Sequence, residues 1–233
     1  MSIVFQPIAD LATGTVVAVE ALARFAAEPV RPPNLWFAEA AEVGLGRPLE
    51  LAAVEAALAH LPDFPAELSM AVNVSPATVT APEFSDLILG APTNRIVIEL
   101  TEHVEIRDYD IVIEALASLR AAGVRLAVDD AGAGFATLQH ILTLQPDIIK
   151  LDIALTRGVD EDPVRRALAR ALVGFASEIG ATIMAEGIET AGELETLRHL
   201  GVPSGQGFYL AHPGPPASLT GHVVRTGDTI GSV

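Results

Sequence analysis

Short apolar runs, each ending in a polar or ionisable side chain, recur along the chain and set its rhythm. Residues 3–8 and 15–20 read as two strands joined by a polar turn at 10–14, too short for a crossover helix, so they pair antiparallel as a hairpin. After Pro32-Pro33-Asn34 come two helical segments, about 34–43 and 47–60, the second with Leu51, Val54 and Leu58 on one face. From there strands and helices alternate. Strands fall at 68–73, 95–100, 124–130, 147–151, 182–186 and 205–208. Helices fall at about 108–122, shortly after 130, at 161–179 and at 190–200. The helix at 108–122 carries Val112, Leu116 and Leu119 at helical spacing, and the one at 161–179 a stripe of Val164, Leu168, Leu172, Phe175 and Ile179 that Gly180 terminates.

Eight strands, most of them separated by helices, predict a TIM-like (β/α)₈ barrel with an antiparallel first strand; an open doubly wound sheet is the competing α/β architecture. In a barrel, residues at the C-terminal ends of different strands converge on one mouth. Glu20, Asn73, Glu99, Asp129, Asp130, Lys150, Glu186 and Gln206 all occupy such ends. The adjacent Asp129 and Asp130 repel each other, and Gly132 and Gly134 let the chain turn away behind them. Taken alone, that stretch reads equally well as an aspartate capping the next helix with its neighbour solvated. Repetition of ionisable strand ends throughout the chain favours a cation site.

Composition narrows the picture. The 233 residues have no internal Pro/Gly/Ser-rich linker, so one domain is favoured: a barrel over 1–216, with 217–233 as a tail or the start of a linker. Hydrophobic residues make up 50% of the chain, enough for a sizeable core. Cysteine is absent, which excludes disulfides and thiolate metal sites. With no basic leader and no apolar run of membrane-spanning length, a soluble, cytoplasmic protein is expected. The chain begins almost at its first strand, leaving room for a sensory or cyclase domain in a longer parent chain. A formal charge of −16 argues against a DNA or RNA polymer as partner, and an anionic ligand would need divalent cations to bring positive charge.

Five carboxylates at one mouth (Glu20, Glu99, Asp129, Asp130 and Glu186) demand such compensation. Two divalent cations held by oxygen ligands, Mg²⁺ or Mn²⁺, meet it. A pair of ions also suits phosphodiester hydrolysis, activating water and stabilising the attacking and leaving oxygens of an in-line displacement. Asn73 adds a neutral carbonyl. Lys150 is either a structural counter-ion or the group that holds the attacking water and the transition-state charge. His60, His140 and His199 fall on none of these positions and are expected at the surface.

The ordered motifs Phe5-Gln6-Pro7-Ile8, Glu20-Ala21-Leu22-Ala23-Arg24, Asn73-Val74-Ser75-Pro76, Glu99-Leu100-Thr101-Glu102, Asp129-Asp130, Lys150-Leu151-Asp152, Ala185-Glu186-Gly187-Ile188-Glu189 and Gln206-Gly207-Phe208 together resemble the EAL-domain cyclic di-GMP phosphodiesterases over about residues 3–216. The resemblance implies hydrolysis of cyclic di-GMP to linear pGpG with Mg²⁺ or Mn²⁺. It implies that Glu20, Asn73, Glu99 and Asp129 hold one metal, and that Asp129 bridges to a second completed by Asp130 and Glu186. Lys150 and Gln206 are implied to act with Glu20 and Glu186 around the water; Gln6, Leu22, Arg24 and Pro213 are implied to contact substrate. Glu102, Asp152 and Glu189 are implied to support the ligands from behind, and the family's homodimer is implied as the assembly. Read without the resemblance, Arg24 is a solvated strand-end arginine, Glu102 and Glu189 are helix-start carboxylates, and Gln6 is a hydrogen bonder inside the barrel. The chain departs from the family pattern at Ala131, where Phe is usual, at Phe135-Ala136-Thr137, at Ile153 and at His212. Two rival readings are a receptor that binds cyclic di-GMP or a partner protein without cleaving the nucleotide, and an unrelated two-metal barrel enzyme.

Overall fold

A computed structural model describes residues 1–100, 106, 108–131 and 135–219, the side chains of 130, 131 and 135–137 apart. The strands are β1 (Ser2–Asp10), β2 (Val16–Arg24), β3 (Ser69–Val74), β4 (Ile96–Leu100), β5 (Arg125–Ala131), β6 (Ile148–Leu151), β7 (Thr182–Ala185) and β8 (Ser204–Gly205). The helices are α1 (Pro33–Glu42), α2 (Gly46–Leu58), α3 (Pro76–Val79), α4 (Pro82–Leu89), α5 (Tyr109–Ala121), α6 (Phe135–Leu144), α7 (Ile153–Thr156), α8 (Pro163–Glu178) and α9 (Ala191–His199). The sheet closes on itself in the order β1 to β8, which selects the barrel over the open sheet. β1 runs antiparallel to both neighbours, β2 and β8, and every other pairing is parallel.

Strand alternation sorts the side chains. Met70, Val72, Ile96, Ile98 and Leu126 join one apolar cluster with α2, α4 and α5, while Ile149, Leu151, Ile183 and Ala185 join another with α8 and α9. The intervening residues face the barrel axis. Ala71, Val97 and Ala127 form a small cluster of their own there, with Ile148 against it. Asn73, Glu99, Asp129 and Lys150 lie two residues further along their strands and so share the same inward face.

Several features depart from the sequence pattern. β2 continues beyond Glu20 to Arg24, and β8 is so short that Gln206 follows it. The α8 stripe is corrected: Val164, Leu168 and Ile179 are exposed, and the helix rests on Ala169, Leu172 and Ala176. Small residues let the helix lie close to the sheet. His140 is also corrected. It is buried, with its Nδ1 2.6 Å from the hydroxyl of Tyr109. His199 is exposed, and His60 is half-buried against the edge of Phe5. After the barrel, Gly214 exchanges backbone hydrogen bonds with Phe5, and Leu219 packs into the core. No helix among the described residues is long and apolar enough to cross a membrane.

Candidate active site

Register brings the strand ends level. Gln6 lies opposite Glu20, Glu20 pairs with Ala71 two residues before Asn73, and Asn73 lies beside Glu99. At the centre stands Lys150, whose side chain is 1% exposed. Its Nζ lies 2.8 Å from Glu186, 2.9 Å from Glu99, 3.2 Å from Asp129 and 4.0 Å from Glu20. Amide groups complete the network. Asn73 Nδ2 donates to Glu20 Oε1 at 2.8 Å, and Gln206 Nε2 donates to Glu20 Oε2 at 2.6 Å and to Glu186 Oε1 at 3.1 Å.

One ammonium among four carboxylates leaves the cluster strongly anionic, and the acids respond unequally. Burial opposes ionisation of Glu20, yet Lys150 and the amides of Asn73 and Gln206 outweigh it and hold its carboxyl below the ordinary value. Among the described residues Glu99 has no such amide support. Burial pushes it well above the ordinary range, and the neighbouring acids reinforce the shift against the pull of Lys150. Glu186 is pushed up to about 7, by burial first and by Asp129 and Glu20 after it, with Lys150 pulling the other way. Burial works against the Lys150 ammonium too, but Glu99, Glu20, Glu186 and Asp129 together raise its pKa well above that of a free lysine.

The donor set suits hard divalent cations, since every side chain offered is an oxygen or amide ligand. Gln206 Oε1 is buried and has no hydrogen-bond partner among the described residues, so one acceptor is left free inside the cluster. Among the described residues, no three acidic or histidine side chains already form a closed cation site; the carboxylates are gathered on Lys150 instead. The side chain of Asp130 and the whole of Glu102 lie outside the described residues.

Two clefts flank the acids. One, of about 240 Å³, is lined by Leu22, Arg24, Asn34, Phe37 and Asn73. The other, of about 260 Å³, is lined by Gln6, Ile153, Glu186, Glu189, Gln206 and Phe208. Gln6, Leu22, Arg24 and Glu189 therefore border the site, and Pro213 is half-buried next to the Gly214 that pairs with Phe5. Asp152 is engaged elsewhere, capping α7 through the backbone N–H of Ala154. Glu189 pairs with Arg157 at the rim of its cleft.

Sequence reasoning overlooked Glu193, a buried acid that accepts from the backbone N–H groups of Gly158, Glu189 and Thr190 and so ties the segment after Glu186 to α9. Thr190 and Glu193 form a capping box, and their spacing was the available signal. Phe208, half-exposed with its ring 4.5 Å from His212, was likewise passed over as a cleft wall.

A closed barrel with an inverted first strand, its mouth lined by acids around a buried lysine, defines the class. The chain belongs to the EAL domain family, which it matches over residues 1–213. It is 34% identical over 233 residues to a cyclic di-GMP phosphodiesterase of Pseudomonas aeruginosa, covering 93% of this chain and 39% of that protein. Among solved structures it resembles Klebsiella pneumoniae BlrP1 in complex with calcium and cyclic di-GMP, at 30% identity and a TM-score of 0.80, over 91% of this chain and 55% of that one. It also resembles the PaMucR phosphodiesterase in complex with cyclic di-GMP, at 27% identity and a TM-score of 0.81, over 93% of each chain. The chain spans less than half the length of several curated relatives it matches, 31% in an uncharacterized protein of Azorhizobium caulinodans.

Proposed function

We propose that this chain is a metal-dependent phosphodiesterase that opens cyclic di-GMP to linear pGpG. The observation that carries the reading is the mouth itself, where four acids share one buried lysine between two clefts, a layout suited to a phosphodiester with a base on either side. Glu20, Asn73, Glu99 and Asp129 would hold one Mg²⁺ or Mn²⁺ ion, and Asp129, Asp130 and Glu186 the other. Bound there, the ions would supply Lewis acidity toward the phosphoryl oxygens and make water a stronger nucleophile at neutral pH.

The chain's own groups divide the remaining work. Gln206 bridges Glu20 and Glu186 and fixes both carboxylates, while its free carbonyl can accept a hydrogen bond from a water between them. Lys150, protonated and dehydrated, stabilises the charge that builds on the phosphoryl oxygens. Among the described residues Arg24 donates only to the carbonyl of Ala23, so its remaining N–H groups can meet a nucleotide oxygen at the edge of the first cleft. Gln6, Leu22 and Pro213 complete the substrate contacts.

The assembly in this reading is a homodimer. Exposed Leu138 and Leu142 on α6, Ile153 on α7, and Val164 and Leu168 on α8 offer apolar surface, and one such patch used twice would make a two-fold interface. The longer relatives support further domains in a parent chain. Incubating purified protein with cyclic di-GMP and Mg²⁺ should yield pGpG on chromatography, and excess chelator should stop it. Saturable nucleotide binding with no product would make the chain a receptor and overturn the hydrolase reading.

A further inference from the structure

The opposite end of the barrel holds a feature that the catalytic reading does not use. A cavity of about 270 Å³ opens at the strand starts, where Ser69, Arg125, Thr182 and Ser204 begin β3, β5, β7 and β8, and its lining reaches Glu99 of the acid cluster. Such barrels usually fill their interior with bulky branched side chains. Here Ile8, Ile148 and Met184 line a hollow that the small Ala18 and Ala71, with Val97, leave open, and Ala127 packs beside Ala71 and Val97.

Arg125 is the second observation. It shares the inward face of β5 with Ala127 and Asp129, and its Nη2 donates to Ser69 Oγ at 2.5 Å. That is its one side-chain bond among the described residues, and no carboxylate among them lies within ion-pair distance. In a chain with 30 acidic residues against 14 basic ones, a half-buried guanidinium left without an acid is a cation held in reserve. Its remaining donors and the Ser204 hydroxyl, which makes no hydrogen bond among the described residues, both border the hollow.

We propose that this N-terminal mouth is a second binding site, for a small organic monocarboxylate with its head on Arg125 and its apolar body among Ala18, Ala71 and Val97. The planar fork of a guanidinium matches a carboxylate. A doubly charged phosphate is disfavoured because Glu67 lines the same cavity and repels the extra charge. Size points to a single ring: an apolar cavity of about 150 Å³ already accepts benzene, so this one has room for the ring and its carboxylate. The site is independent of the phosphodiesterase reading, although an occupant would sit beneath Glu99.

Benzoate is the probe, titrated by calorimetry into the whole chain in chelator, with methyl NMR locating the site at Ala71, Ala127 and Val97. Saturable binding at millimolar concentration or tighter is expected. Benzyl alcohol, of the same shape without the charge, should bind about tenfold to a hundredfold more weakly, the share of one charge-assisted pair. Arg125→Gln should produce the same loss, and Ala71→Leu should block the site by filling it. Absence of benzoate binding, equal binding of benzyl alcohol or inorganic phosphate, or shifts confined to the methyls of Leu22 and Ile153 at the opposite mouth would each overturn the proposal. The ligand comparison on the unaltered protein decides the matter even if Arg125→Gln fails to fold.

Discussion

Lys150 holds its ammonium 2.9 Å from the carboxylate of Glu99, and neither side chain is more than 2% exposed. The pair lies on strands β4 and β6, with the acids of β2, β5 and the segment after β7 gathered around it. It ties the barrel closed as much as it equips the mouth. Lys150→Met should therefore destabilise the metal-free protein by about 3–5 kcal/mol, because removing one partner leaves its buried neighbours uncompensated. Urea titration in chelator checks this, and the loss should shrink at acidic pH, where the acids take up protons. In turnover, kcat should fall while KM stays nearly constant; a change confined to KM would assign Lys150 to substrate binding.

Glu20 differs from Glu99 and Glu186 in being held ionised, with amide donors on both oxygens. Glu20→Ala removes a proposed ligand and leaves the amides of Asn73 and Gln206 without their acceptor. Groups that only support a metal ligand typically cost about 10–100-fold when removed, so loss of Glu20 should exceed a hundredfold. Activity at saturating Mg²⁺ measures it, and a drop of less than tenfold would exclude Glu20 from the metal set.

The pH dependence follows from Glu186, whose carboxyl is pushed up to about 7. Below that pH the group carries a proton that a cation must displace, and above it the carboxylate is free. Apparent Mg²⁺ affinity should therefore rise with pH through about 7, and Glu99, which burial also holds above its ordinary value, should add to the rise. Calorimetry in buffers of different ionisation enthalpy should detect proton release whose Glu186 share fades above about pH 7. Glu186→Gln should remove that share, leaving the release from Glu99, along with much of the affinity.

The strand ends were legible in the sequence because a strand presents alternate residues to one face, so Asn73, Glu99, Asp129 and Lys150 had to share the axis once the sheet closed. Other features were hidden for physical reasons. Pro76 and Pro82 break the segment after β3 into two short helices, α3 and α4, that show no helical period of useful length. The α8 stripe misled because the largest apolar residues were counted, whereas the face on the barrel is alanine-rich. His140 stands one residue before the buried Ile141 and four before the buried Leu144, so its inward face was readable from the spacing. No sequence signal announced the hollow behind Glu99. It depends on which small residues meet across the axis, and only register decides that.

Gly187 gives the last prediction, because it joins the mouth to the side chain of Ile153. It follows Glu186 directly and has φ +64°, a left-handed conformation that side-chain-bearing residues adopt at a cost. Space is closed to it as well: a Cβ there would overlap the side chain of Ile153, which heads α7 just beyond Lys150. Beyond it, Ile188 donates its backbone N–H to the Gln206 carbonyl at 3.1 Å and accepts from Tyr209 at 3.0 Å, so the segment has little freedom to retreat. Gly187→Ala should therefore cost about 1–2 kcal/mol in backbone strain alone and should displace Glu186 from Lys150. Activity should fall further than stability, since the 2.8 Å contact between Lys150 and Glu186 is the first to lengthen. Ile153→Ala introduced together with Gly187→Ala removes the overlap but not the strain, so it should restore part of the activity and little of the thermal stability. Paired measurements of Tm and kcat on the single and double variants separate the two causes. Full activity in Gly187→Ala would show that Lys150 and Gln206 hold Glu186 in place whatever residue stands at 187.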